Sequence, residues 1–323
     1  MFKRIAVMTS GGDAPGMNAA VRAVVRAALD RGVEVYGIRQ AYAGLLAGNM
    51  ELLTSREVSG IIQRGGTILQ TARNEEFKTK AGQSRAKRNL HQRGIEAVVV
   101  IGGDGSLRGA LALESLGFPV IGVPASIDND INGTNMSIGV DTALNVIMDA
   151  LDRIRDTATS HTRAFIIEVM GRNCGYLAIT AALIGGAEIV ITPEQNVPME
   201  EVAKALENAY SRGKSHAIAV IAEGASYRTT DLSNYLTSER SVGFEIRLII
   251  LGHIVRGGSP TAFDRLLATR MGVKAVELLL DGQTGLMVGL DGRDMVAVPI
   301  KDATSTMRPL NESFFAMHNF LSR

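Results

Sequence analysis

Seven short apolar runs constrain this chain more than any other feature: residues 4–8, 33–38, 97–101, 120–123, 164–169, 188–191 and 217–222. Each is β-branched and almost continuously apolar, where a strand with one solvated face would alternate. Such strands are covered on both sides in a parallel sheet, and the stretches between them must then supply crossover helices. Helical periods fall at 16–30, 105–116, 141–156, 199–212 and 261–280. The first puts Val21, Val24, Val25 and Leu29 on one face and Arg22 with Arg26 on another. Residues 75–93 are mostly charged and read as a solvated helix or a loop. The expected fold class is α/β, with two doubly wound, Rossmann-like domains, a number that 323 residues support at roughly 150 per domain.

Composition removes several function classes. A formal net charge of +1 gives no long-range field for nucleic acid or acidic membrane, so anionic ligands must be held locally. The chain has no Trp, which also weighs against base-stacking surfaces. Cys174 stands alone and has no disulfide partner within the chain, which fits a cytoplasmic setting. The N-terminal MFKRIAVMTSGG reads as a first strand running into a glycine turn, and no run approaches the roughly 20 apolar residues that cross a bilayer.

Two loops follow a strand and precede a helix: Thr9-Ser10-Gly11-Gly12-Asp13-Ala14-Pro15-Gly16 and Gly102-Gly103-Asp104-Gly105-Ser106. Glycines let backbone N–H groups approach a phosphate, and a following helix N-terminus favours its charge. Neither loop has the G-K-[ST] of a Walker A motif or the G-x-G-x-x-G of a dinucleotide fingerprint. Each alone fits a tight strand-to-helix turn equally well; two at the carboxyl ends of neighbouring parallel strands point to a ligand crevice.

After the run 120–123 comes Pro124-Ala125-Ser126-Ile127-Asp128-Asn129-Asp130. In extended backbone, residues two apart share a face, so Asp128 and Asp130 are expected to point together. Two carboxylates that close need a cation or a proton between them. Phosphoryl transfer gives them separate tasks, a base for the attacking hydroxyl and a metal ligand; an Asx-rich turn capped by its own side chains is the plainer alternative.

The blocks TSGGDAPGMNAAVR, QRGGTILQTAR, VVVIGGDGS, IDNDI, SHTRAFIIEVMGRNCGYLA, GGAE, HAIAVIAEG and LGHIVRGGSP resemble, in order and spacing, the bacterial 6-phosphofructokinase family across essentially the whole chain. The resemblance implies a cytoplasmic, homotetrameric, Mg²⁺-dependent kinase of glycolysis that moves the ATP γ-phosphoryl to the 1-hydroxyl of fructose 6-phosphate. It implies an ATP domain of residues 1–138 and 252–304 and a sugar-phosphate domain of 139–251 and 305–323. Asp128 matches the family's general base, Arg172 the arginine facing the transferred phosphoryl group, and Asp104 with Asp130 the carboxylates around Mg²⁺. Gly12, Arg73, Asn74, Gly103, Asp104, Gly105 and Ser106 match the ATP site. Ser126, Ile127, Asp128, Met170, Gly171, Arg172, Glu223, His253, Ile254, Val255 and Arg256 match the sugar-phosphate site, joined by Arg163 and Arg247 from a neighbouring subunit. Read without the family, His253 is a core histidine and the two arginines are surface charges.

Relatives that use pyrophosphate carry Asp and Lys where this chain has Gly105 and Ala125, so ATP is the expected donor. The family norm at Ala125 and Ser126 is Gly and Thr, and the extra methyl is expected to restrict φ or crowd the phosphate path. Arg22, Arg26, Arg155, Gly186, Ala187, Glu188, Arg212, Lys214, Ser215 and His216 match an effector pocket for ADP and phosphoenolpyruvate. One arginine of that pocket is displaced, with Ser55 in its place and Arg56 beside it, and residues 225–244 form a longer stretch than in the family. Two rival readings stand against catalysis by this family. A nucleotide-binding regulatory subunit would lack Asp128 or Arg172, and a NAD kinase-like chain would share only the GGDG element.

Overall fold

The structure is a computed structural model that describes residues 2–322. Its strands are β1 Arg4–Ser10, β2 Glu34–Ile38, β3 Met50–Leu53, β4 Ala97–Gly102, β5 Val120–Pro124, β6 Arg163–Val169, β7 Ile189–Ile191, β8 Ala217–Ala222, β9 Glu245–Ile250, β10 Leu286–Asp291 and β11 Asp294–Pro299. Its α-helices are α1 Met17–Asp30, α2 Ala41–Ala47, α3 Lys80–Gln92, α4 Asp104–Ser115, α5 Val140–Thr159, α6 Tyr176–Gly185, α7 Met199–Ser211, α8 Thr229–Asn234, α9 Ala262–Leu280, α10 Ile300–Ala303 and α11 Glu312–Leu321. All seven apolar runs are strands and all five helical periods are helices.

The chain divides into two units, Met1–Thr142 with Arg256–Arg308 and Ala143–Val255 with Pro309–Arg323. The first holds a seven-stranded sheet in the order β11-β10-β5-β4-β1-β2-β3, and the second a four-stranded sheet in the order β7-β8-β6-β9. The smaller sheet is parallel throughout. The larger one is parallel except at its edges, where β3 and β11 run antiparallel to their neighbours. Strands β3, β9 and β11 lie at sheet edges and are half solvated, so they carry no continuous buried run. β11 has no buried residue and β9 none either.

In the larger sheet Ala6, Met8, Val98, Val100 and Val120 pack with Leu45, Leu90, Leu107 and Leu113 in one core. Alternate residues Ile5, Val7, Val99 and Ile101 point to the other face and are equally buried. There α1 and α9 pack together and reach β1 and β5. Each of the buried Val, Leu, Ile and Met side chains contributes about 1.5–3 kcal/mol by leaving water. The charged stretch 75–93 holds a 3₁₀ turn at Glu76–Lys78 and then α3, seated through Phe77, Ala86 and Leu90. In the second unit Ala164, Ile166, Ala217 and Ile221 pack with Val202, Leu206, Leu232 and Leu236.

The crossings at 142, 255 and 308 lie beyond the expected 138, 251 and 304. Side chains explain the difference. The Asp264 carboxylate, fully buried in the first turn of α9, accepts from the N–H of Gly139 (2.9 Å), the N–H of Thr142 (2.8 Å) and the Thr142 hydroxyl (2.5 Å). Residues 139–142 are thereby tied to the first unit. At the last crossing the N–H of Arg308 donates to the carbonyl of Asp130 (2.9 Å).

Candidate active site

Parallel register sets the first unit's site. Ser10 pairs with Gly102 and Gly102 with Pro124, so Gly11, Gly103 and Ala125 leave three adjacent strands at one level. A Cβ at Gly102 would overlap the Ser10 carbonyl oxygen, which is why a glycine must end β4. Gly103 packs near Ser126, and the side of Gly105 is open for 4 Å. Asp104 opens α4, where its Oδ2 accepts from Arg108 Nε (2.8 Å). Ser106 is buried, and the Tyr42 hydroxyl donates to its carbonyl (2.7 Å). Burial holds the Tyr42 phenol well above its ordinary pKa, so it stays a donor. Tyr42 stacks on Phe77 with ring centroids 4.1 Å apart, and Asn74 Oδ1 accepts from the Phe77 N–H (2.8 Å), while Arg73 is exposed. No sequence signal marked Tyr42 and Phe77, the pair that links the Asn74 segment to the second glycine loop.

The carboxylate segment departs from its expected geometry. Asn129 has φ 53°, so the backbone between Asp128 and Asp130 is left-handed and the shared-face argument for an extended chain fails there. The side chain of Asn129 accounts for the turn: its Oδ1 accepts from the Ser137 N–H (3.0 Å) and its Nδ2 donates to the Asn135 carbonyl (3.3 Å). The two aspartates are linked instead through Ser126, whose hydroxyl accepts from the Asp128 N–H and donates to Asp130 Oδ1, both at 3.3 Å. Asp128 is only 4% exposed. Ile127 is fully buried, so only its backbone can line a site. Ala125 keeps a negative φ and buries its methyl, which removes the expected backbone restriction. Arg256 Nη1 donates to the Asp13 carbonyl (3.0 Å), and its guanidinium lies against Gly12.

In the second unit Val169 pairs with Ala222, which sets the ends of β6 and β8 side by side. Glu223 therefore meets the turn after Met170, and its Oε1 accepts from the N–H groups of Gly171 (3.2 Å) and Arg172 (2.7 Å). Arg172 is exposed with φ 49°. Gly252–Arg256 is a short 3₁₀ turn in which His253 and Ile254 are exposed and Val255 is buried, so His253 is not a core histidine. Arg163 and Arg247 both bind Glu245, a partner that the sequence did not disclose. The Arg163 hydrogen bond holds the Glu245 carboxyl below its usual range.

The expected effector residues fall in both units. Arg22 is half-buried and Arg26 exposed on α1, and Ser55 and Arg56 are exposed after β3. Arg155 donates to the Gly185 carbonyl at the end of α6, beside left-handed Gly186. Glu188 binds Lys214 (2.9 Å) and accepts from the Ile218 N–H (2.5 Å), while the Ala187 carbonyl lies 3.0 Å from His318 Nε2. Arg212 follows α7, and the Ser215 hydroxyl sits 3.3 Å from His216 Nδ1. Desolvation holds His216 below its ordinary pKa. The stretch 225–244 is docked by α8 and a π-helical turn at Tyr235–Glu239, with Tyr235 on Glu200 (2.6 Å) and Arg240 between Glu200 and Glu207.

Three loops at one carboxyl edge of a parallel sheet, two of them glycine-rich, define an α/β protein built to hold phosphate groups. The family described as Phosphofructokinase matches residues 4–279, and the chain belongs to that family. An ATP-dependent 6-phosphofructokinase of Thermotoga neapolitana is 52% identical over 322 residues, covering 99% of this chain and 100% of that one. Phosphofructokinase from Saccharomyces cerevisiae superimposes with a TM-score of 0.87 at 36% identity, over 99% of this chain and 47% of that longer one. A pyrophosphate-dependent phosphofructokinase from Marinobacter aquaeolei matches with a TM-score of 0.85 at 21% identity, over 97% of this chain and 86% of that one. The fold is thus shared with a pyrophosphate-dependent phosphofructokinase. Among the described residues no helix is long and apolar enough to cross a membrane.

Proposed function

We propose that this chain is an ATP-dependent 6-phosphofructokinase of glycolysis, which transfers the γ-phosphoryl of ATP to the 1-hydroxyl of fructose 6-phosphate and releases ADP and fructose 1,6-bisphosphate. The register that brings Gly11, Gly103 and Ala125 to one level carries the reading, because it gathers the phosphate loops beside Asp128. Full-length relatives of that activity at about half identity support it. ATP is favoured as donor by the open side of Gly105 and the uncharged, buried Ala125, which leave room for a nucleotide and supply no extra charge.

In this reading Asp128 takes the proton of the sugar hydroxyl, Ser126 orients it, and Arg172 neutralises charge on the phosphoryl group in flight. Gly12, Arg73, Asn74 and Gly103 to Ser106 hold ATP. Met170, Gly171, Glu223, His253, Ile254, Val255 and Arg256 hold the sugar phosphate with the backbone of Ile127. Asp104 and Asp130 are hard oxygen donors. No group of three or more His, Cys, Asp or Glu is gathered as an ion site among the described residues. That donor set suits Mg²⁺ bound through one or two carboxylates together with substrate phosphates. When bound, Mg²⁺ would neutralise developing charge on the phosphate oxygens.

The wider assignments are a cytoplasmic homotetramer whose Arg163 and Arg247 serve a neighbouring subunit's sugar phosphate. The effector pocket takes ADP as activator and phosphoenolpyruvate as inhibitor. Steady-state rates with fructose 6-phosphate and either ATP or pyrophosphate test the central reading: ATP is expected to support turnover and pyrophosphate not. Equal or faster rates with pyrophosphate would remove the ATP assignment. Titration with ADP and phosphoenolpyruvate at low fructose 6-phosphate tests the pocket, and a flat response would remove it.

A further inference from the structure

The turn that carries Arg172 is held from three sides, and apart from Glu223 the residues that hold it have no assigned part in the reaction. A left-handed arginine is strained, since only Gly and, less often, Asn or Asp adopt that backbone readily. Such a conformation persists only where the surroundings over-determine it. The Cys174 N–H closes the turn on the Gly171 carbonyl (2.9 Å). The N–H of Gly175 donates to both oxygens of Glu194 (2.9 and 3.2 Å), and those of Gly171 and Arg172 to Glu223. On the remaining side the Arg172 carbonyl rests directly on Gly224, where a Cβ would overlap its oxygen and stand 2.8 Å from its carbon. Pro193 closes the same side, 3.2 Å from that Cβ position.

These constraints converge on the backbone of the turn, and the side chain of Arg172 is exposed. We propose that Gly224 and Glu194 are positioning residues for Arg172: they fix the left-handed turn from which its guanidinium meets the transferred phosphoryl group. This inference rests on the role given to Arg172 above. Gly224 acts by absence, since any side chain there displaces the Arg172 peptide. Glu194 acts by anchoring the far end of the turn, where α6 begins.

The test measures kcat and both KM values for Gly224→Ala, Glu194→Gln, Arg172→Ala and the double variant Gly224→Ala/Arg172→Ala in the full-length enzyme. Gly224→Ala is expected to lower kcat by about 10–100-fold, the scale of a misplacement near 1 Å, with the KM for ATP within about threefold. Because Gly224 works through Arg172, the double variant should lose no more than about twofold beyond Arg172→Ala alone. A purely structural role would multiply the two losses instead, and that result overturns the proposal. Unchanged kcat in Gly224→Ala, with activity lost in Arg172→Ala, overturns it and leaves the role of Arg172 standing. Wild-type turnover in Arg172→Ala overturns both. Should Gly224→Ala fail to fold, Glu194→Gln decides: a kcat lowered at near-constant KM supports the proposal, and an unchanged kcat overturns it.

Discussion

Asp128 and Arg172 both lie in turns that follow a parallel strand and contain a left-handed residue, yet the two turns are braced in opposite ways. In the first unit the left-handed residue is Asn129, and its own amide holds the turn against Ser137 and Asn135. In the second it is Arg172 itself. There Glu223, Glu194 and Gly224, from other loops, grip the backbone of the turn. On the roles proposed for Asp128 and Arg172, a spare residue next to the reacting group keeps the brace local, whereas a reacting group placed on the bend spreads its brace across distant loops.

The largest effect expected is at Asp128. Asp128→Asn should lower turnover by about 10²–10⁴-fold, with little change in fructose 6-phosphate binding, when initial rates and binding are measured together. A change confined to KM would remove Asp128 as the base. Next comes the brace. Asn129→Ala should lower kcat by about 10–100-fold, and Asn129→Gly, which accepts the same φ but offers no amide, should fall between it and wild type. Full activity in the glycine variant would mean that backbone shape alone suffices and that the amide braces nothing.

A third prediction concerns stability on the far side of the same loop. Asp264→Ala leaves the N–H groups of Gly139 and Thr142 and the Thr142 hydroxyl buried without an acceptor. Three orphaned donors at about 1–3 kcal/mol each predict a loss of at least about 3 kcal/mol in urea unfolding. Retained stability would show that the clasp is replaced by water.

The smallest effect is a pH dependence in the second unit. Desolvation holds the buried His318 below its ordinary pKa, although its contact with the Ala187 carbonyl and the charge of Glu188 work the other way. The unfolded chain then binds the proton more readily, so the His318 contribution is complete above about pH 6.5 and is lost as pH falls toward the folded-state pKa. His318→Gln should flatten that limb of the stability profile. An identical acid slope in both proteins would exclude His318 as its source.

The comparison also explains what could be read in advance. The Asp128 segment was legible because its polar residues follow a continuous apolar strand, and Asn is a residue that tolerates a left-handed bend. The bend itself was not legible: alternation along an extended chain put Asp128 and Asp130 on one face, and only the Ser137 and Asn135 contacts turn the backbone at Asn129. Glu245 escaped notice because its tie to Arg163 exists only through the pairing of β6 with β9, 82 positions apart in sequence. Tyr42 and Phe77 escaped for the same reason, being brought together by tertiary packing.

By itself the sequence determined the two α/β units, the seven buried strands, the glycine loops and the polar segment at Asp128. Those features depend on apolar periodicity and on residue types with few backbone choices, which act over a handful of neighbours. The tertiary structure decided how the loops share one level, which side chains grip the Asn129 and Arg172 turns, and where the chain changes unit. Each of these depends on strand register and on hydrogen bonds between residues far apart in sequence, and no local preference encodes such partners.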